Sequence, residues 1–132
     1  MITRLALLLT LPLLTLLPAP ALPPAPDRCA SVTVARDGDV YTRGSTIGFY
    51  AVISNCGTKA VRFYTETTLE TACEEEIEIG DNYWRLQPTA AFIDPQPWPI
   101  PLDACLGFYT VTTTVYVGNT WLAADSATVE VR

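Results

Sequence analysis

The sequence predicts an all-β fold in which two antiparallel sheets pack face to face. From residue 28 onward, β-branched and aromatic residues recur at every second position in short runs, which is typical of strands with one buried face. Turn-forming Asp, Asn and Gly separate these runs, and helical periodicity is absent. Because each sheet must cover its apolar face with a second layer, a two-sheet sandwich is expected.

About seven strands are expected in this domain. Gly80-Asp81-Asn82 and Gly118-Asn119 predict hairpin turns between consecutive strands. The proline-rich segment 87–104 is expected to be a long connection without a strand of its own. The predicted strands are 30–36, 46–54, 59–69, 74–79, 83–86, 107–117 and 120–131.

The first 28 residues predict export from the cytoplasm. Arg4 precedes an apolar run, and Ala19-Pro20-Ala21 offers small residues to a peptidase, which is the layout of a secretory signal. We therefore assign 1–21 as a signal peptide, 22–28 as a Pro-rich linker and 29–132 as the sandwich domain. Prolines interrupt the run before it reaches the ~20 residues of a membrane span, so cleavage after Ala21 is expected. An uncleaved anchor is the alternative. The expected location is secreted or extracytoplasmic, at the cell surface or in the periplasm.

The charge pattern argues against nucleic acid as a partner. Eight Lys and Arg stand against 14 Asp and Glu, which gives a net charge of −6. The basic residues are scattered singly along the chain, whereas phosphate backbones are bound by clustered basic surfaces. A partner protein or a glycan is therefore expected instead.

The four cysteines predict two disulfides. They form no C-x-x-C pair and the chain has no histidine, which makes a structural metal site improbable. Four cysteines allow three pairings. An antiparallel strand order brings Cys29 and Cys56 to one end of the sandwich, and Cys73 and Cys105 to the other. The predicted bridges are therefore 29–56 and 73–105.

Two short motifs carry a family resemblance. The first is Phe49, Val52, Asn55 and Gly57, and the second is Gly107, Tyr109 and Val111. With these motifs the chain is similar, across residues 30–131, to small secreted bacterial immunoglobulin-like or fibronectin-like adhesion modules, and this resemblance implies an immunoglobulin-like sandwich. In such sandwiches a tyrosine at the start of the sixth strand can bond back to the preceding loop as a tyrosine corner, and Tyr109 is the candidate.

Catalysis is not expected. Without histidine, the usual general base and the usual partner of a nucleophile are missing. Asp94 and Asp103 are formal candidates for the paired carboxylates of a glycosidase, but a sandwich of this size has little room for a deep cleft. We expect no enzyme and no cofactor.

Two segments are candidate binding sites with competing structural explanations. Glu74, Glu76 and Glu78 are weak candidates for calcium ligands, and their spacing equally fits the solvated face of an edge strand. The segment 87–104 carries Trp98 between alternating prolines, which predicts a rigid docking or protease-inhibitory loop. The alternative is that Trp98 simply covers one edge of the core.

The third candidate is the outward face of the predicted third, sixth and seventh strands. Tyr64, Phe108 and Tyr116, with Leu122, alternate there with threonines; such a face can bind sugars or a protein, or is an ordinary exposed sheet. The predicted function is a secreted, non-enzymatic binding or adhesion module of unknown ligand. The alternatives are a protease inhibitor that uses the loop around Trp98 and a carbohydrate-binding module that uses the aromatic face.

Overall fold

The computed structural model describes residues 27–132, in which every regular element is a β-strand. The predicted signal peptide and all but the end of the predicted linker lie outside the described residues. No segment between residues 27 and 132 forms an apolar helix of membrane-spanning length. The strands are β1 (Ala30–Arg36), β2 (Val40–Tyr41), β3 (Thr46–Asn55), β4 (Val61–Glu70), β5 (Glu76–Leu86), β6 (Ala91–Pro99), β7 (Gly107–Val117) and β8 (Thr120–Val131).

The strands form two sheets, as the alternating pattern predicts. A three-stranded sheet has the order β1-β3-β6, and a five-stranded sheet has the order β2-β8-β7-β4-β5. All pairs are antiparallel except β2 with β8. Apolar side chains from both sheets meet in one core, and the largest fully buried ones are Tyr109, Phe49 and Phe63. The predicted all-β sandwich is confirmed.

The segment 74–86 differs from its prediction as two short strands. Gly80, Asp81 and Asn82 are not a turn but lie within the continuous strand β5, where Asp81 pairs with Glu66 of β4. Gly80 lies against the amide of Gln96 on β6, where a Cβ would be 2.4 Å from Oε1 of that flexible side chain. Tertiary pairing with β4 thus overrides the local turn preference of these residues.

The proline-rich segment is also not the predicted free connection. Residues 91–99 form the edge strand β6, which pairs with β3. Its prolines stand at every second position. Ile100 belongs to the other set of alternate positions and forms hydrogen bonds through both its amide and its carbonyl to the segment just before β3. The prolines therefore occupy positions whose amides point away from β3, and an edge strand tolerates them there.

Both predicted disulfides are present, one at each end of the sandwich. Cys29 pairs with Cys56 at a Cα–Cα distance of 4.9 Å, and Cys73 with Cys105 at 5.9 Å. Both distances lie within the range that a disulfide requires. The first bridge joins the start of β1 to the end of β3, and the second ties the β4–β5 turn to the segment that enters β7.

Tyr109 forms the predicted tyrosine corner. Its ring is 1% exposed, and its hydroxyl donates a hydrogen bond of 2.5 Å to the carbonyl oxygen of Cys105. The bond joins the start of β7 to the connection before it, next to the second disulfide. It therefore fixes the path by which the chain enters the five-stranded sheet.

Substituting Tyr109→Phe is expected to lower the free energy of unfolding by about 1 to 2 kcal/mol. The ring stays in the core, so the loss of stability measures the removal of the hydroxyl alone. Without that hydroxyl, the carbonyl oxygen of Cys105 lacks this hydrogen-bond donor. Urea denaturation measures the change. Tyr50→Phe, at a tyrosine that is 38% exposed, is the control and should leave stability unchanged; equal losses in both variants would contradict the corner's role.

Candidate functional site

Four aromatic side chains form a line across the outer face of the five-stranded sheet. Tyr83 of β5 lies directly opposite Tyr64 of β4. Tyr64 lies opposite Tyr116 of β7, and Tyr116 opposite Trp121 of β8. Residues opposite each other in adjacent strands present their side chains on the same face. We call these four residues the aromatic row.

Two β-bulges bring the outer members of the row to this face. In β5 the pairing with β4 shifts between Thr67 and Thr68, so that Ile79 has no partner. In β8 the pairing with β7 shifts between Val115 and Tyr116, so that Leu122 has no partner. An extra residue reverses the in–out phase of the rest of a strand. Without these bulges, strict alternation would turn Tyr83 and Trp121 toward the core.

The rings lie close together and are accessible. The ring centroids of Tyr64 and Tyr83 are 5.0 Å apart, and those of Tyr64 and Tyr116 are 6.0 Å apart. The ring planes are tilted by 39° and 34°, respectively. Tyr83 is 58% exposed and Trp121 59% exposed, while the two inner tyrosines are half-buried. More than half of the surface of Tyr83 and of Trp121 is therefore accessible to a ligand.

Polar groups flank the row. The Arg62 guanidinium lies 4.6 Å from the ring centroid of Tyr83, and the Tyr64 hydroxyl donates a 3.4 Å hydrogen bond to Asp81. Desolvation, followed by the nearby carboxylates of Asp81 and Glu66, raises the pKa of Tyr64, so this hydroxyl remains a donor at neutral pH. A shallow hollow at the row is lined by Arg62, Tyr64, Glu66, Tyr83, Tyr116, Gly118 and Asn119.

The threonine-rich part of the same face has few free hydroxyls. Thr112 shares a hydrogen bond of 2.7 Å with Ser126, and Thr110 shares one of 2.9 Å with Thr128. These cross-strand pairs satisfy one another and stabilise the β7–β8 pairing. The chemistry available to a ligand is therefore concentrated at the aromatic row.

Two of the three aromatic residues predicted for this face come together, and one does not. Tyr64 and Tyr116 are neighbours, whereas Phe108 lies eight residues away along β7, opposite Glu130 and close to the Cys73–Cys105 end. Leu122 is not on the outer face but packs against the core, because it is the bulged residue of β8. Alternation alone did not identify Tyr83 and Trp121, since the bulges change their side.

Trp98 is part of a paired strand. It lies in β6 opposite Ile47, is half-buried, and its ring centroid is 5.7 Å from that of Tyr109. Its ring packs against the core. The segment is therefore not the free loop on which the inhibitor hypothesis depended, and the position of Trp98 matches the alternative that it covers the core.

The predicted acidic candidates are dispersed. Glu76 and Glu78 are exposed on β5, which is an edge strand, and Glu74 precedes it in a turn with a φ of 62°. Asp94 points inward from β6, while Asp103 is exposed in the following connection. Across residues 27–132, no group of three or more His, Cys, Asp or Glu side chains is placed to hold a metal ion.

Asp94 is a buried carboxylate within the sandwich. It is 7% exposed and accepts a 2.9 Å hydrogen bond from Nε2 of Gln96. Burial raises the pKa of Asp94, and the bond from Gln96 lowers it by less. The folded protein therefore binds the carboxyl proton of Asp94 more tightly than the unfolded chain does. Stability falls as the pH rises above the ordinary carboxyl pKa of 3.8 and through the raised one.

Substituting Asp94→Asn is therefore expected to raise the melting temperature at pH 7, because the amide keeps a partner for Gln96 without a buried charge. At about pH 3, where both states of the wild type bind the proton, the gain should disappear. Thermal melts across this pH range measure the difference. Asp103→Asn is the exposed control; a gain for Asp94→Asn that does not depend on pH would contradict the titration.

Comparison with known proteins identifies the fold. No protein-family model matches the chain, and no curated protein matches it significantly by sequence. The CARDB domain of a Pyrococcus furiosus protein, solved in complex with di-metal ions, matches with a TM-score of 0.67 at 14% identity, over 85% of this chain and 95% of that one. The chain thus shares the fold of this domain, an immunoglobulin-like sandwich.

Larger proteins contain the same sandwich as a part. The sporulation control protein Spo0M of Bacillus subtilis matches with a TM-score of 0.57 at 18% identity, over 79% of this chain and 49% of its own. A Listeria innocua β-glucosidase matches with a TM-score of 0.60 at 12% identity, over 79% of this chain and 16% of its own. At such identities the likeness shows the fold alone, because one sandwich fold supports many functions.

Proposed function

We propose that this chain is an extracytoplasmic, non-catalytic binding module and that the aromatic row is its contact surface. The observation that carries the proposal is the register of four aromatic residues in four adjacent strands, two of them more than half exposed. Large exposed aromatic clusters are rare on soluble proteins unless they bind something. Two disulfides accord with an oxidising compartment outside the cytoplasm.

The construction of the row favours a binding role over a structural one. Tyr83 and Trp121 reach the outer face through bulges, which interrupt the regular pairing of a sheet and are common next to functional sites. Neither residue belongs to the core or packs against it. The immunoglobulin-like sandwich is also the fold expected from the sequence resemblance to small secreted bacterial adhesion modules, and adhesion is the role that this resemblance implies.

A catalytic role has little to support it. The chain has no histidine, and all four cysteines are in disulfides. The paired carboxylates of a glycosidase must face each other across a substrate, whereas Asp94 points into the sandwich and Asp103 is on an exposed connection. We therefore propose binding without turnover.

The test is an adhesion assay with the purified, oxidised protein. Beads coated with it are mixed with intact cells of the producing organism and with beads that carry the polymers these cells secrete. We expect wild-type beads to be retained, and a Tyr83→Ser, Trp121→Ser variant to lose most of that retention. Phe108→Ser, at an aromatic residue that is 66% exposed but outside the row, is the matched control. Equal retention of all three proteins would overturn the proposal.

A further inference from the structure

We propose that the ligand of the aromatic row is a single chain of a neutral polysaccharide that lies across the strands. This inference rests on the proposed function and adds the chemical class of the ligand. Sugar rings present C–H groups on their faces, which are attracted to the electron-rich faces of aromatic rings. Hydroxyl groups at their edges pair with polar side chains beside the rings.

The dimensions of the row fit a sugar chain. Adjacent strands are about 4.8 Å apart, so four strands extend the row over about 14 Å. The ring separations of 5.0 and 6.0 Å among the three tyrosines are comparable to the length of one hexose unit, and Trp121 lies one strand farther along. Three or four sugars in sequence therefore meet one ring each.

The width of the row points to one chain rather than to a protein. Its neighbours two positions along β4 and β5 are charged: Arg62 and Arg85 on one side, Glu66 and Asp81 on the other. Residues two apart on a strand are about 7 Å apart, so the aromatic strip is only one side chain wide there. A standard protein interface buries about 800 Å² on each partner around a broad apolar centre. The strip is too narrow for that.

The charges select a neutral ligand. Arg62 lies beside Tyr83, but the carboxylate of Glu66 lines the same hollow, and Asp81 lies opposite Glu66 on β5. A polyanion would meet these carboxylates and a chain with a net charge of −6. Mixed donors and acceptors instead suit hydroxyl groups, which both donate and accept.

The tilt of the rings distinguishes a free chain from a crystalline surface. Successive tyrosine planes differ by 39° and 34°, so the row is not one flat plane. The flat face of a crystalline polysaccharide cannot contact all of these rings at once. A single chain in solution can turn each sugar to match its ring, and we therefore expect soluble polymers to bind better than crystalline ones.

Affinity gel electrophoresis tests the inference. The oxidised protein is run through gels that contain soluble mixed-linkage β-glucan, xyloglucan, xylan or galactomannan, with polygalacturonate as the anionic control. We expect at least one neutral polymer to retard the wild type, and Tyr83→Ala to weaken that binding about tenfold, equivalent to about 1.4 kcal/mol. Tyr83→Phe, which keeps the ring, should retain most of the binding. Phe108→Ala should bind like the wild type.

The outcomes separate the two proposals. Insoluble microcrystalline cellulose is tested separately, by sedimentation with the protein. If none of the four neutral polymers retards the protein, or if polygalacturonate or the crystalline cellulose binds more tightly than all of them, the neutral-chain inference is wrong. If the Tyr83→Ser, Trp121→Ser beads still lose adhesion in that case, the binding module stands with another ligand. If neither assay responds to changes in the row, both proposals fall. Circular dichroism of each variant establishes that it is folded.

Discussion

Removing the Cys73–Cys105 bridge by a double substitution with alanine is expected to lower the free energy of unfolding by about 3 to 4 kcal/mol. The bridge joins residues 32 positions apart in sequence, and this constraint on the unfolded chain is lost in the variant. A domain of this size has a total stability of roughly 5 to 15 kcal/mol. The variant should therefore be close to unfolding at elevated temperature.

Loss of this bridge is also expected to affect the folded state, because of where the bridge lies. Cys105 also supplies the carbonyl that accepts the hydrogen bond of Tyr109, so the entry into β7 is held by the cystine and the tyrosine together. Urea denaturation of the oxidised protein measures the effect. The Cys29→Ala, Cys56→Ala variant is the matched comparison, because its bridge has a similar separation of 27. A loss of less than about 1 kcal/mol at Cys73–Cys105 would contradict the predicted contribution.

Substituting Trp98→Ala is expected to lower the free energy of unfolding by about 2 to 3 kcal/mol, somewhat below the cost of truncating a fully buried aromatic residue. Trp98 is half-buried on the inner side of β6, where it packs against the core and Tyr109. Truncation leaves a gap between the edge of the three-stranded sheet and β7. Chemical denaturation measures the loss.

Trp121→Ala is the control of the same chemical type. Trp121 is 59% exposed on the outer face, so its truncation should change stability by no more than about 0.5 kcal/mol. Binding should show the opposite pattern, since Trp121 belongs to the aromatic row and Trp98 does not. If Trp98→Ala left stability unchanged and abolished the binding of a partner, the docking-loop hypothesis would be restored.

The relation between fold and proposed site depends on the middle of the five-stranded sheet. β4 and β7 are adjacent, and each is paired with a further strand on its other side. Tyr64 and Tyr116 are therefore held on a rigid base. The β5 and β8 strands add one exposed ring at each end of this pair. A binding surface built on paired strands keeps its geometry without a ligand, which reduces the entropy lost on binding.

Much of the core could be predicted from alternation alone. Ile47, Phe49, Ala51 and Ile53 of β3 are all buried, as their spacing indicates. The pairing of the cysteines followed from strand direction, because antiparallel order places chain ends at known ends of the sandwich. Tyr109 followed from its place at the start of a strand. In each case a regular strand carries the signal.

The parts that could not be predicted are those in which one strand depends on another. Gly80-Asp81-Asn82 has the composition of a turn, but β4 supplies pairing partners for these residues. The prolines of 91–99 discourage a strand assignment, yet they are harmless where their amides would face away from β3. A single strand does not reveal which of its edges is paired.

By itself, the sequence determined that the chain forms β-strands, which residues of the regular strands enter the core, and which cysteines meet. Local periodicity and chain direction are sufficient for these. Only the tertiary structure decided that β5 and β6 exist as continuous strands and that Tyr83 and Trp121 join Tyr64 and Tyr116 on one face. The physical reason is that a bulge is set by the register between two strands. One extra residue puts the side chains before it and after it out of phase, so Tyr83, after the bulge of β5, and Trp121, before the bulge of β8, lie on the outer face.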